Sequence, residues 1–181
     1  MIMDDSNITE ELRIADERSN ERRRVLEEFM IEEPIYKVPP LMPPVIVSRS
    51  EPVQTAIDLM DRTKSGCVLV VENERLLGIV TDRDVFRKTV VQRLDPLVQK
   101  IEEIMTPNPT TLQIDDPIAY AFRAMGIGGF RHIPLLDDQN KPVGSLSVQY
   151  LIKYMTDFFV REIMTMPPLR ARKIAATREG A

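Results

Sequence analysis

Thr81 and Asp84 stand three residues apart after Gly78-Ile79-Val80, and Arg131 and His132 stand side by side ahead of Ile133-Pro134-Leu135-Leu136. A carboxylate accepts two hydrogen bonds from the vicinal hydroxyls of a ribose, and the start of a helix offers donors to anionic groups. A guanidinium holds a phosphate through two bonds, while an imidazole donates as well and titrates near neutral pH. The same residues also have plainer readings. Thr-x-x-Asp has the form of a capping box, in which Thr81 caps a helix and Asp84 reaches back to the chain. Arg131 and His132 equally suit an exposed and a packed position at a strand edge.

Other reactive groups point away from catalysis. Cys67 lies in the apolar run Cys67-Val68-Leu69-Val70-Val71, which reads as a buried structural thiol. Gly126-Ile127-Gly128-Gly129 follows a helical pattern and precedes a strand, the reverse of the order a phosphate loop needs, and reads as a helix terminus with a flexible turn. Asp115-Asp116 and Asp137-Asp138 fall in turn signals. One cysteine and one histidine in the chain exclude an intramolecular disulfide and a Cys/His zinc site. No constellation makes an enzyme, and no obligatory cofactor is expected.

The elements that must position these residues belong to an ordinary soluble composition, 43% hydrophobic and 29% charged in 181 residues. A net charge of −4 gives no general drive toward nucleic acid or an anionic membrane. The acidic start from Met1 to Glu11 is no signal peptide, and no apolar run approaches the ~18 residues of a membrane span, so a cytoplasmic protein is expected. Residues 1–35 form a charged extension. Thr9, Glu10 and Glu11 give it a helix start, but Leu12 and Ala15 are separated from Val25, Leu26, Phe29 and Met30 by a polar stretch. Pro34, Pro39, Pro40, Pro43 and Pro44 then make an extended linker. Residues 166–181, with Arg170, Arg172, Lys173 and Arg178, read as a basic, solvated tail.

Between the two ends the chain repeats itself. Ala56 and Ala121 are 65 residues apart and Gly78 and Gly144 are 66 apart, each in matching surroundings. Val53, Ala56, Ile57 and Met60 fall at i, i+3, i+4 and i+7, as do Ile118, Ala121, Phe122 and Met125, so each copy has an amphipathic helix, opened by Pro52 or Pro117. Short β-branched runs meet at the turn signals Glu72-Asn73-Glu74 and Asp137-Asp138-Gln139-Asn140. A last helix begins near Thr81 with Val85, Phe86 and Val90, and near Ser147 with Leu151, Tyr154 and Met155. Each copy reads as strand, helix, strand, strand, helix, an α+β unit of ~60 residues too small to be comfortable without a shared core. Residues 36–100 and 101–165 are the two units.

Gly78-Ile79-Val80-Thr81-Asp82-Arg83-Asp84 resembles the closing signature of a CBS domain, and Ile104-Met105-Thr106-Pro107 resembles the segment that opens the next. The resemblance implies two tandem CBS-type repeats packed with pseudo-twofold symmetry, adenosine-type ligands in clefts between sheets and helices, and pairing of modules into dimers through helical faces. It places Ile46, Gly66, Cys67, Val80, Thr81 and Asp84 on the first repeat's side of one cleft, with Arg131 and His132 reaching the phosphate end from the second. It assigns Thr111, Ser147 and Tyr150 to the other cleft. There Tyr150 stands where the family pattern has an aspartate, so no carboxylate meets a ribose. A hydrogen bond to a charged group contributes about 1.5–3 kcal/mol, so that cleft should bind ten-fold or more weakly. Ile46 stands where the pattern has an adenine-proximal threonine, and Thr111 matches that threonine in the second copy.

The expected function is non-catalytic: a sensor that takes AMP, ADP or ATP between the repeats and passes the change to a separate partner chain. Two other readings remain open. One is a ligand-free dimerisation or protein-interaction module in which Thr81 and Asp84 only cap a helix; the other is a site for S-adenosylmethionine.

Overall fold

A computed structural model describes residues 13–14, 16–17, 19–21, 24, 31–39 and 43–165, with the last five as backbone only. The expected helix start at Thr9, Glu10 and Glu11, the apolar positions Leu12, Ala15, Val25, Leu26, Phe29 and Met30, Pro40 of the linker, and the tail 166–181 lie outside the described residues.

The repeat folds twice into the same unit. In the first copy β1 (Ile46–Val47) leads to helix α1 (Val53–Thr63), then to the hairpin of β2 (Cys67–Glu72) and β3 (Arg75–Thr81) and a one-turn helix α2 (Asp82–Val85). A short helix α3 (Ile101–Ile104) and strand β4 (Thr106–Pro107) carry the chain to the second copy. There β5 (Leu112–Gln113), α4 (Ile118–Gly128), β6 (His132–Leu136), β7 (Pro142–Ser147) and α5 (Val148–Thr165) follow. Pro52 and Pro117 sit at the N-caps of α1 and α4, where a missing amide hydrogen costs nothing. Lys64 and Gly129 end those helices in the left-handed region at φ 54° and 67°. One sheet has the order β1-β2-β3-β4 and the other β5-β6-β7, each opening with a parallel pair and closing its hairpin antiparallel.

Strand alternation sorts β2 onto two faces. Val68 and Val70 join Val53, Ala56, Met60 and Val80 in the first core, while Cys67 and Leu69 pack with Ile79 on the opposite face. Ser65 and Gly66, just ahead of β2, line one hollow with His132 and Ser145 of the other repeat, so the two hairpins come together here in the pseudo-twofold packing.

The repeats also exchange their leading segments. Ile101 and Ile104 of α3, ahead of the second repeat, are fully buried in the first core. Ile35 and Val38, ahead of the first repeat, lie in the second core with Ile118, Ile133, Leu135, Leu146 and Leu151. Backbone bonds mirror the exchange: Ile101 N donates to Glu51 O and Val53 N to Gln99 O, as Ile35 N donates to Asp116 O and Ile118 N to Glu33 O. A cut between residues 100 and 101 therefore does not separate the cores.

The last helices differ between copies. The α2 turn widens at once into a π-helical segment, Phe86–Val90, in which Val91 N donates to Phe86 O, and Leu94 N beyond it donates to Thr89 O. The wider turn seats Thr89, whose hydroxyl donates to Gln99 Oε1 at 2.8 Å in a buried pair. Val85 is buried, but Phe86 and Val90 are 59% and 58% exposed, so the apolar face expected for this helix is only partly used by the core.

Candidate functional site

β3 ends at Thr81, and the chain must turn immediately because α2 starts on the next residue. The turn is held by a complete capping box. Asp84 N donates to Thr81 Oγ1 at 3.2 Å, and Thr81 N donates to Asp84 Oδ2 at 3.0 Å. Thr81 Oγ1 also donates to Asp84 Oδ2 at 2.6 Å, and Lys88 Nζ lies 2.9 Å from Asp84 Oδ1. Lys88 in turn donates to Ile104 O at 2.6 Å. The plainer reading of Thr-x-x-Asp is thus physically present, and the first-turn amides of Arg83 and Asp84 are taken by the Asp82 and Thr81 side chains. Both roles fit one carboxylate: a preorganised acceptor carries its hydrogen bonds before a ligand arrives.

Beside this turn lies a cavity of about 340 Å³, within the range of small-molecule sites. The first repeat contributes Ile79, Thr81, Asp82, Arg83 and Asp84; the second contributes Phe130, Arg131 and His132 after Gly129. The structure therefore brings Thr81, Asp84, Arg131 and His132 together in one cavity. A third wall, Thr106, Asn108, Pro109 and Thr110, comes from the link between the repeats. The link crosses here because β4 pairs on β3 at Gly78↔Pro107 and Ile79↔Thr106. Gly78 makes the crossing possible: a Cβ built there would lie 2.9 Å from Met105 Sδ and from Thr106 O.

A second cavity, of about 400 Å³, lies on the other side of His132. It is lined by Met60, Asp61, Lys64, Ser65 and Gly66 of the first repeat and by Ser145, Ser147, Val148, Gln149 and Tyr150 of the second, with Asp82, Arg131 and His132 common to both cavities. Tyr150 lines this space without filling it.

Five residues lie elsewhere than the resemblance places them. Gly66 faces the second cavity and backs His132: a Cβ there would lie 2.8 Å from the imidazole Cε1 and Nε2. Cys67 and Val80 are buried in the sheet, at 2% and 0% exposure, and line neither cavity. Ile46, 47% exposed on β1, lines neither as well. Thr111 leaves the second cleft altogether; it lines a separate hollow between the two hairpin turns with Arg75, Leu76, Gln139, Asn140 and Lys141. Its neighbour Thr110 instead joins the Asp84 cavity. Threonine from the link and aspartate from α2 therefore converge on one site, because strand pairing carries the link back over β3. The link bends at Asn108, which takes the left-handed region at φ 47° between Pro107 and Pro109, and asparagine flanked by prolines is the usable turn signal there.

Burial lowers the His132 pKa from its ordinary 6.5, and Arg131 lowers it further against the opposing pull of Asp82. At neutral pH the imidazole is therefore uncharged and able to donate one bond and accept another. Protons are bound more readily by the unfolded chain in the window below 6.5 and above the lowered folded value, so stability rises with pH across that window. Urea midpoints should accordingly fall as the pH is lowered from 7.5 through 6, and His132→Gln should flatten that segment; an equally steep profile in the variant would contradict it. Burial also pushes the Cys67 thiol up, which agrees with a structural role.

Comparison with known proteins adds the family context. The CBS domain model matches residues 26–90 and 101–157. A CBS domain-containing protein of Arabidopsis thaliana is 33% identical over 103 residues, which are 57% of this chain but 19% of that protein, so the chain spans about a fifth of its length. A CBS domain protein from Pyrobaculum aerophilum complexed with AMP has 22% identity and a TM-score of 0.60, covering 68% of this chain and 98% of that one. A CBS domain pair in complex with 5′-methylthioadenosine and S-adenosyl-L-methionine has 22% identity and a TM-score of 0.62, covering 69% of this chain and 97% of the other. Among the described residues no cluster of His, Cys, Asp and Glu could hold a metal, and no helix is long and apolar enough to cross a membrane.

Proposed function

This chain belongs to the CBS domain family of non-catalytic regulatory modules, and from that premise we propose that it binds an adenine nucleotide in the Asp84 cavity. The observation that carries the reading is the convergence of a ribose acceptor, Asp84, and a phosphate-binding pair, Arg131 and His132, from opposite repeats. In the proposed complex Asp84 takes the ribose hydroxyls, exchanging Lys88 or its cap bonds for them. Arg131 and His132 take the phosphate, and the link from Thr106 to Thr110 walls the base. Similar folds complexed with AMP or with S-adenosyl-L-methionine support the ligand class.

A ligand touching both repeats and the link between them favours one relative angle over others. It shifts that equilibrium by no more than its differential affinity for the two arrangements. The readout would pass to another surface, and one is at hand. Phe86, Val90, Val91, Leu94, Leu97 and Val98 are 48–77% exposed in a single stretch of chain, an apolar run of the kind that marks interaction sites. We assign it to homodimer formation, for which sedimentation velocity should show a dimer; a monomer at micromolar concentration would contradict the assignment.

The ligand is tested by melting the purified chain, stripped of carried-over nucleotide, with AMP, ADP, ATP and S-adenosylmethionine in parallel. A rise in melting temperature with the phosphorylated adenosines is expected. A rise with S-adenosylmethionine alone would transfer the site to that ligand, and no rise with any would leave the interaction module as the reading.

A further inference from the structure

The two cavities share three residues, Asp82, Arg131 and His132, and each other lining residue belongs to one cavity. Gly66 meets two of the three. Its carbonyl accepts from Asp82 N at 3.1 Å, and its missing side chain makes room for the His132 ring. Arg131 Nη2 lies 3.8 Å from Asp82 Oδ1, a pair that joins the two repeats with 59% and 62% of the side chains exposed. Such a long, solvated pair contributes little to stability. In the α2 turn Asp82 Oδ1 also accepts from Arg83 N at 2.7 Å, while Thr81 and Asp84 close the capping box without it.

Lys64, which also lines the second cavity, lies 2.8 Å from Asp61 Oδ1 in a solvated pair with 79% and 81% of the side chains exposed. An anionic group entering either cavity meets the Arg131 guanidinium and the His132 imidazole, to which the first cavity alone adds Arg83, and a guanidinium fork closed on one phosphate is not open to another.

Resting on the reading of the Asp84 cavity as a nucleotide site, we propose that Asp82, Arg131 and His132 form one anion seat shared by both cavities. The chain then holds a single phosphorylated ligand, and Asp82 is the internal anion that this ligand displaces from Arg131. Displacement would exchange this contact between the repeats for one through the ligand's phosphate, an exchange that a bare nucleoside does not make. Asp82 thereby sets how strongly the chain prefers phosphorylated over unphosphorylated adenosine.

Equilibrium dialysis of the full chain with AMP and with adenosine tests this. Saturation is expected at one AMP per chain. Asp82→Asn should raise AMP affinity by about three- to ten-fold, the effect of removing one charge a few ångströms from a phosphate near a wet surface, and leave adenosine unchanged. Arg131→Gln should bring the AMP and adenosine affinities together, which keeps the test decisive if Asp82→Asn folds poorly. Two AMP per chain would overturn the shared seat while leaving the nucleotide reading standing. Unchanged or weaker AMP binding in a folded Asp82→Asn chain would overturn the role of Asp82. Binding of neither AMP nor adenosine by the native chain would instead strike down the nucleotide reading on which the inference rests.

Discussion

Replacing Ile35 by alanine is expected to destabilise the chain by about 2–5 kcal/mol, the cost of deleting a large buried side chain whose space cannot fully collapse. Ile35 is fully buried, although it precedes β1 by eleven residues and ends the charged extension. Its neighbours are Ile118 and Leu151 of the second repeat, and Ile35 N is tied to Asp116 O. The mirror variant Ile104→Ala should cost a similar amount through the first core. Because each repeat lends its leader to the other, both variants should melt in a single transition, shifted downward by roughly 5–15 °C. A shift below about 2 °C for Ile35→Ala would mean that its segment is not part of the second core.

Gly78→Ala should damage stability and ligand binding together. The glycine has an ordinary backbone conformation, so its role is clearance. The added Cβ would meet a backbone oxygen, Thr106 O, at 2.9 Å and Met105 Sδ at the same distance. A side chain can rotate away, but a backbone oxygen moves only if the β3–β4 pairing moves. Overpacking of this kind costs typically about 1–3 kcal/mol. The displaced strand carries Thr106, Asn108, Pro109 and Thr110, the wall of the Asp84 cavity. AMP affinity should therefore fall by about ten-fold or more, the equivalent of about 1.4 kcal/mol of lost contact. Native affinity and native melting temperature in Gly78→Ala would show that the link does not depend on this clearance.

Local chemistry made the repeated unit legible in the sequence. Helical spacing at Val53-Ala56-Ile57-Met60 and Ile118-Ala121-Phe122-Met125, prolines at the helix starts and turn residues between the β-branched runs all describe interactions within one short stretch of chain. The Thr81–Asp84 turn was legible for the same reason, since a capping box is closed by residues three apart.

What escaped depends on partners far along the chain. Ile35 and Val38 repeat Ile101 and Ile104 at an interval of 66, the interval of Gly78 and Gly144, yet nothing in either tetrapeptide says which core receives it. The placement of the threonines depends on distant pairing likewise. Thr110 and Thr111 are adjacent, and only the pairing of β4 on β3 decides which of them faces Asp84. The resemblance places Gly66 on the first repeat's side of the Asp84 cleft, whereas its lack of a side chain is what lets the His132 imidazole pack. The π-helical segment at Phe86–Val90 obeys a buried Thr89–Gln99 bond that helical periodicity cannot express.

Calorimetric titration of AMP into the native chain and into Asp84→Asn addresses the central claim most directly. Asparagine keeps the size and one acceptor but loses the charge that would hold two ribose hydroxyls and that pairs with Lys88. The predicted result is saturable binding to the native chain and a loss of about ten-fold or more in a variant that still melts cooperatively. Equal affinity in the two chains would contradict the claim and reduce Asp84 to the cap of a helix.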